Sequence, residues 1–258
     1  MMDKLIFPFF SFLFGSVVGS FLNVCIHRLP RGESIMFPSS HCPHCNQTIR
    51  FYDNIPIISY LVLHGRCRFC GKPISPQYLI VEILSATFSL ILFLKYPIWE
   101  YLIYFVFFSS LLVITFIDLK HQIIPDIISL PGIGIGFLSS FVLSRISYLD
   151  SFLGIVLGGG ILYGVTLIYY LVMKTEGMGG GDIKLLAMIG AFLGSKAVLV
   201  TIFVSAFIGS VAGLTIIVLK GKSRKYAIPY GPFLALGATI SFFWGDSLIA
   251  WYTNLMPR

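Results

Sequence analysis

The chain has 258 residues, of which 57% are hydrophobic and only 11% are charged, and its mean hydropathy is +0.89. A soluble domain carries about 25% charged residues, so the composition excludes an ordinary soluble protein and indicates a chain surrounded mostly by lipid. Attraction to anionic lipid accounts for the net charge of +7, and no nucleic-acid partner is expected.

Long apolar runs follow one another along the whole sequence. They predict an all-α polytopic membrane protein with about eight transmembrane helices, because five runs approach or exceed the roughly 20 residues that cross a bilayer. The runs do not alternate polar and apolar residues, which argues against a β-barrel. The run 183–194 is the weakest, since it is short and contains Lys184. The predicted spans are 5–24, 79–95, 98–117, 127–145, 151–173, 183–194, 197–219 and 232–252.

Lysine and arginine residues are unevenly distributed among the connecting segments. Thirteen of the 18 lie in segments that an eight-span topology places on one side of the membrane, namely 25–78, 118–126, 174–184 and 220–231. Cytoplasmic loops carry the excess of positive charge. This side is therefore predicted to be the cytoplasm, and both termini are predicted to lie outside.

The longest polar segment, residues 25–78, contains no predicted span. It divides the chain into a first transmembrane helix (1–24), a cytoplasmic loop domain (25–78) and a transmembrane bundle (79–258). The loop holds two Cys-x-x-Cys pairs about twenty residues apart, a spacing typical of a tetrahedral zinc knuckle. Thiols stay reduced in the cytoplasm, which favours a metal over disulfides. The predicted zinc ligands are Cys42, Cys45, Cys67 and Cys70.

A zinc ion held by these four cysteines would be structural, because no coordination position is left for a catalytic water. A redox-active pair and unpaired thiols are the alternatives that the spacing leaves open. The fifth cysteine, Cys25, lies at the end of the first predicted span and is interpreted as a small buried apolar residue.

Two of the 11 carboxylates lie at predicted cytoplasmic span ends, Asp118 and Asp182. A charge at membrane depth costs at least ~2.5 kcal/mol, so such a group usually has a function or a partner. Two close carboxyl groups that share one proton supply both the base and the acid that amide hydrolysis needs. The glycines at 179–181 leave room for an extended substrate chain. The two aspartates are therefore candidates for a catalytic pair.

Each of these residues also has a simpler interpretation. Asp118 could be a solvated helix end and Asp182 a helix N-cap. Asp126, which follows Pro125, is either an N-cap or a group that supports the pair. The glycines at 158–160 are expected to allow close packing of helices rather than chemistry.

Short motifs continue in order along nearly the whole chain. They read GSFLNV (19–24), HRLP (27–30), PSSHCPHC (38–45), DNIPIISY (53–60), GRCRFC (65–70), ISPQY (74–78), VE (81–82), IDL (117–119), IPD (124–126) and GMGGGDIKL (177–185). Each motif is weak by itself. Together, with four cysteines after the first span, they resemble the prepilin peptidases, or type IV leader peptidase family, and the last motif resembles that family's Gly-x-Gly-Asp element.

The resemblance implies an intramembrane aspartic endopeptidase in which Asp118 and Asp182 are catalytic. It implies prepilin and type II secretion pseudopilin substrates, whose basic leader is cut from an apolar helix at the cytoplasmic side of the bacterial inner membrane. Many members with the four-cysteine loop also methylate the new N-terminal amine with S-adenosylmethionine, so the same is expected here. The sequence contains no glycine-rich nucleotide motif in the loop that would locate the binding site of this cofactor.

Two other classes of function fit parts of the sequence. An ion-coupled transporter or channel would need charged residues or broken helices near the middle of the membrane, whereas the two aspartates lie at one face. A non-catalytic platform for pilus or secretion assembly would use the cysteine loop to bind a cytoplasmic partner. In that class, Asp118→Asn and Asp182→Asn would leave pilus or secretion phenotypes intact.

Overall fold

A computed structural model describes residues 3–174, 179–220 and 228–255 of the chain. Gly177 and Met178 of the glycine motif and the basic loop residues Lys222, Arg224 and Lys225 lie outside these ranges. The described residues are mainly α-helical and contain no β-strand. The α-helices in these ranges are α1 Asp3–Arg28, α2 Ile58–Val62, α3 Pro76–Lys95, α4 Ile98–His121, α5 Asp126–Ser139, α6 Tyr148–Met173, α7 Gly180–Leu193, α8 Ser195–Lys220 and α9 Gly231–Leu255.

Six of the described helices are long and apolar enough to cross a membrane: α1, α3, α4, α6, α8 and α9. The fold class, an all-helical protein with several membrane-spanning helices, is therefore as predicted. The number of eight spans is not confirmed. The two remaining predicted spans correspond to α5 and α7, which have 14 residues each. At 1.5 Å per residue such a helix is about 21 Å long, shorter than the ~30 Å hydrocarbon core.

The predicted span 127–145 is longer than the observed helix α5, which ends at Ser139. The hydroxyl groups of Ser139 and Ser140 donate to the carbonyl oxygens of Gly136 and Phe137, at 2.8 and 2.6 Å. Serine side chains that bond to nearby backbone compete with the helix ladder, and turns follow up to the start of α6. The apolar run is thus longer than the helix it forms.

The chain divides into two compact units, residues 1–113 and 114–258. In the N-terminal unit, α1 packs against α3 along a row of small residues. Ser85 Oγ donates to the carbonyl oxygen of Gly15 over 2.7 Å, and Ser89 Oγ donates to that of Ser11 over the same distance. Small residues at this interface let the two backbones approach closely, as is typical of helices that associate within lipid.

In the C-terminal unit, α7 is the central helix and contacts α5, α6, α8 and α9. Eight consecutive residues of α7, from Leu185 to Phe192, are buried, so this helix is apolar around its whole circumference. Gly154 and Gly158 of α6 lie directly against the α7 backbone, where a Cβ atom would collide with the carbonyl groups of Gly190 and Leu186. Of the glycines at 158–160, Gly158 thus has the packing role that the sequence predicts.

A single residue joins α7 to α8. Gly194 has a φ angle of 85°, which glycine adopts readily, and α8 begins at Ser195. The Asp150 carboxylate in the first turn of α6 accepts hydrogen bonds from the backbone N–H and the hydroxyl group of Ser195. This carboxylate therefore fixes the start of α8 to the start of α6.

Candidate active site and metal centre

Asp118 lies in the last turn of α4, within the C-terminal unit, and is 5% exposed. Its Oδ2 atom accepts a hydrogen bond of 2.9 Å from the backbone N–H of Gly231, the first residue of α9. A backbone donor at a helix N-terminus stabilises a negative charge. Asp118 is therefore a buried carboxyl group with one fixed partner, not a solvated helix end.

Asp182 lies in the first turn of α7 and is half-buried. Its backbone N–H donates to the carbonyl oxygen of Gly179, which is the N-cap residue of this helix. The N-cap interpretation of Asp182 is therefore wrong, and its carboxyl group is free for another use. That group interacts electrostatically with the Asp118 carboxyl group, so the fold places the two predicted catalytic residues in the same region of the C-terminal unit.

Asp126 and Lys184 form an ion pair beside this site. Both carboxylate oxygens of Asp126, in the first turn of α5, accept hydrogen bonds from Lys184 Nζ, at 2.7 and 2.8 Å. Lys184 belongs to the same helix end as Asp182. The pair links the starts of α5 and α7, which explains why a lysine occurs in an otherwise apolar run.

Sequence reasoning missed the contribution of the segment that precedes α9. Gly231 donates to Asp118, and a Cβ atom at this position would lie 2.7 Å from Asp118 Oδ2. The neighbouring Tyr230 shares a hydrogen bond of 2.8 Å with Ser205 Oγ and is affected electrostatically by Asp182. The only signal in the sequence was the cluster of proline and glycine around Tyr230, which indicates a turn but not its partner.

Two close carboxyl groups, one of them bonded to a fixed N–H donor, can hold a single proton between them. In that state one group can accept a proton from water and the other can donate one. This is the chemistry that hydrolysis of an amide needs.

The four cysteines of the loop lie together in the N-terminal unit. Their sulfur atoms are all within 4.8 Å of one another, and Cys42 Sγ lies 3.9 Å from Cys70 Sγ. Sulfurs around a zinc ion with Zn–S bonds of ~2.3 Å are about 3.8 Å apart, whereas a disulfide would bring them to ~2.05 Å. The cluster therefore fits a tetrahedral metal such as zinc and contains no disulfide. The residues that would hold the ion are Cys42, Cys45, Cys67 and Cys70.

The two Cys-x-x-Cys turns have the same backbone form. The residue after the second cysteine has a positive φ angle in each turn, 56° at Asn46 and 68° at Gly71. Its N–H donates to the carbonyl oxygen of the first cysteine over 2.9 Å. Asparagine and glycine are the residues that tolerate this conformation best. The turns thus present two sulfurs each in equivalent directions.

The loop also favours a charged sulfur. The backbone N–H groups of Cys70 and Phe69 lower the pKa of Cys67 to about 7. The N–H of Gln47 lowers the pKa of Cys45, but desolvation and the neighbouring thiols outweigh it and raise that pKa to about 11. The loop backbone thus favours a charged sulfur at Cys67, whereas desolvation and the neighbouring thiols disfavour one at Cys45.

An ion pair connects the second turn to the rest of the loop. Arg68, between Cys67 and Cys70, donates from Nε and Nη2 to the carboxylate of Asp53, at distances of 2.6 to 3.0 Å. The Asp53 side chain is 6% exposed, and the guanidinium group lowers its pKa. Two-pronged pairs of this kind are more directional than single contacts, so this one orients the segment around Asp53.

Two protein-family models match successive parts of the chain. Residues 13–96 match the bacterial peptidase A24 N-terminal domain, and residues 105–214 match the type IV leader peptidase family. The first match contains the four cysteines, and the second contains both aspartates.

Several relatives are similar over nearly their full length. The chain is 37% identical to a prepilin leader peptidase/N-methyltransferase of Aeromonas hydrophila, covering 95% of this chain and 93% of that protein. It is 33% identical to the protein of the same name from Pseudomonas aeruginosa, covering 96% and 94%. It is 36% identical to that from Legionella pneumophila, covering 95% and 96%. No solved structure matches the chain significantly.

Proposed function

The chain belongs to the type IV leader peptidase family, and on this premise we propose that it cleaves the basic leader from type IV prepilins and type II secretion pseudopilins. Asp118 and Asp182 hydrolyse the peptide bond as a pair. The reaction takes place at the cytoplasmic face of the bacterial inner membrane. The observation that supports the proposal is that the Asp118 and Asp182 carboxyl groups, at the ends of α4 and α7 in one compact unit, are close enough to interact electrostatically.

The hydrolysis needs one ionised and one protonated carboxyl group. The ionised group takes a proton from water as the water oxygen bonds to the scissile carbonyl carbon. The protonated group donates its proton to the carbonyl oxygen, and the leaving amine takes up a proton when the C–N bond breaks. The N–H of Gly231 donates to Oδ2 of Asp118 and so fixes the orientation of this carboxyl group. Roles of base and acid are shared by the pair, because coupled groups titrate as a unit.

The positions of the aspartates suit a substrate with a polar leader and an apolar helix. Both lie at the ends of apolar helices, where such a junction would be found. The glycines at 179–181 carry no side chains beside Asp182. Among the described residues, a Cβ atom at Gly180 would meet nothing within 4 Å, whereas one at Gly181 would lie 2.8 Å from Ile124 Cβ. Open space beside a carboxyl group is what an unwound peptide needs. The excess of lysine and arginine in the adjoining segments supports a cytoplasmic position.

The second activity is methylation of the new N-terminal amine, as the names of the relatives state for those proteins. S-adenosylmethionine would supply the methyl group from its sulfonium centre. The N-terminal unit is the part of the chain that this activity would use, because it contains the cysteine cluster and lacks both aspartates. A zinc ion held by the four cysteines would be structural, since all four of its ligand positions would be taken by sulfur.

The test uses the purified full-length protein in detergent micelles with a synthetic prepilin and S-adenosylmethionine. Mass spectrometry of the products should show a released leader and a mature peptide with one added methyl group. Asp118→Asn and Asp182→Asn should each lower the cleavage rate by roughly 10⁴-fold, the size of effect seen when catalytic groups are removed. Asp246→Asn is the matched control, since its side chain is 85% exposed and lies far along α9. Cleavage by both single variants at the unchanged rate would refute the peptidase mechanism.

A further inference from the structure

A cavity of about 580 Å³ lies in the N-terminal unit, between α1 and two segments of the cysteine loop. Its volume lies within the ~300–1,000 Å³ typical of sites for small ligands. One side is formed by α1, whose apolar lining residues are Val17, Phe21 and Val24. The loop side is formed by residues 35–40 and 54–56, and polar groups come from both sides. The aspartate pair belongs to the other unit and does not use this cavity.

A buried cation lines the cavity. Arg28, in the last turn of α1, is 7% exposed. Its Nη1 and Nη2 atoms donate to the carbonyl oxygens of Ser34 and Pro38, at 2.9 and 2.6 Å, and it has no carboxylate partner among the described residues. A guanidinium group has five N–H donors, so several remain for a ligand. Burial of an unpaired charge is unfavourable, and an anionic ligand group would offset that cost.

The loop walls of the cavity are fixed to the cysteine cluster. The carbonyl oxygen of Ser40, two residues before Cys42, accepts a hydrogen bond of 2.9 Å from the N–H of Ile49 within the first cysteine turn. Asn54 follows Asp53, which is bonded to Arg68 of the second turn. Both loop segments of the cavity are therefore connected by hydrogen bonds to the segments that carry the cysteine pairs.

A residue with a strained backbone, Ile57, follows the lining residues 54–56 in the chain. Ile57 has a φ angle of 64°, which is rare for a β-branched side chain, and the turn around it is closed by a hydrogen bond of 2.6 Å from Ile58 N–H to the Pro56 carbonyl oxygen. The N–H of Ile57 donates to Oε2 of Glu82 over 2.7 Å, and Glu82 is 7% exposed. Strain of this kind persists only where surrounding contacts hold it, and it clusters at ligand sites. Glu82 thus holds the backbone at Ile57, the residue that follows the lining residues 54–56.

We infer that this cavity binds the methyl donor S-adenosylmethionine, with the donor's carboxylate at Arg28 and its nucleoside against the apolar face of α1. The inference rests on the proposed methyltransferase activity and deepens it. The ligand carries the groups that the lining can take: a carboxylate, a flat aromatic base, and ribose hydroxyls that Ser20, Ser39 and Asn54 can meet. Charge, polar groups and apolar surface lie within a single volume of suitable size.

The test measures binding of S-adenosylhomocysteine to the full-length zinc-loaded protein by titration calorimetry, together with methylation of cleaved prepilin in the same preparation. Arg28→Met removes the cation, and Val24→Trp fills the cavity while leaving the cation in place. Each should weaken binding at least ten-fold. Arg31→Met is the matched control, because Arg31 is exposed and bonded to His27, and it should leave the affinity unchanged. Zinc content and thermal midpoint show whether each variant is folded.

The outcomes separate this inference from the proposed function. Methylation by the unchanged protein, with both cavity variants binding as tightly as the control, would place the donor elsewhere and overturn the inference alone. Neither methylation nor binding by the unchanged protein would remove the methyltransferase activity and the inference together. Photocrosslinking of the donor to peptides containing 17–28 or 35–40 would support the site directly. A phospholipid found there by native mass spectrometry, lost in Val24→Trp while donor binding persists, would also overturn the inference.

Discussion

The backbone N–H of Gly231 holds Oδ2 of Asp118 at 2.9 Å, although 113 residues separate them in the chain. This contact joins the end of α4 to the start of α9 and sets the orientation of one carboxyl group in the candidate pair. A single peptide group, remote in the sequence, thus orients this carboxylate.

Gly231→Ala should lower the catalytic rate without removing an ionisable group. The added Cβ atom would lie 2.7 Å from Asp118 Oδ2, so the carboxylate must shift. Because a displacement of about 1 Å in a catalytic group costs on the order of 10²-fold, we expect kcat for leader cleavage to fall 10- to 100-fold. Gly160→Ala is the control, since a Cβ there meets nothing within 4 Å. Equal kcat values for the two variants would show that Asp118 is not held as described.

The pH profile of leader cleavage should be bell-shaped. At acid pH both carboxyl groups are protonated and neither can accept a proton from water; at alkaline pH both are ionised and neither can donate one. The maximum therefore lies between the two macroscopic ionisations of the pair. Measurement of kcat/KM against pH tests this expectation. A profile with a single ionisation would indicate that only one aspartate changes protonation during the reaction.

Zinc binding should require the four cysteines and should weaken as the pH falls. Cys67→Ser is expected to reduce the zinc-to-protein ratio from about one to near zero, because the remaining sulfurs leave the tetrahedron incomplete. His44→Ala, beside Cys45 but exposed, is the control. The pKa of Cys67 is lowered to about 7, so protons compete with the metal increasingly below that pH. Metal analysis after dialysis at several pH values would reveal either behaviour, and a ratio near zero for the unchanged protein contradicts the prediction.

The Asp126–Lys184 pair should contribute little to stability. Its side chains are 56% and 37% exposed, and ion pairs of this exposure contribute about 0.2–1 kcal/mol. A double-mutant cycle with Asp126→Asn and Lys184→Met, followed by thermal unfolding in detergent, measures the coupling. A coupling energy well above that range would mean that the pair is shielded from solvent in the membrane.

The cysteine cluster shows what local sequence can predict. Each Cys-x-x-Cys pair forms its own turn, so a compact loop between the two pairs is enough to bring the four sulfur atoms together. Zinc binding itself stays a prediction. The two aspartates are predicted by a different argument. A carboxylate at the end of an apolar run is unfavourable in free energy, so such a residue usually has a function or a partner. Their catalytic role also stays a prediction, although the fold brings them together.

What the sequence did not predict comes from long-range contacts and from helix ends. Gly231 becomes part of the candidate site only when α9 meets α4, and no periodicity encodes that meeting. Arg28 was counted as one basic loop residue among thirteen, whereas the structure buries it against a cavity. The length of α5 was overestimated because hydropathy does not detect the serine hydroxyl groups that end the helix.

The junction at Gly194 has a mechanical consequence for Asp182. Only one residue connects α7 to α8, and Asp150 holds Ser195 at the start of α8. These two restraints oppose a shift of α7 along its axis. The opposite end of α7 carries Asp182, whose position along α6 is therefore set by the contact at Ser195. An insertion after Gly194 would loosen this restraint, so the C-terminal end of α7 fixes the position of the end that carries Asp182.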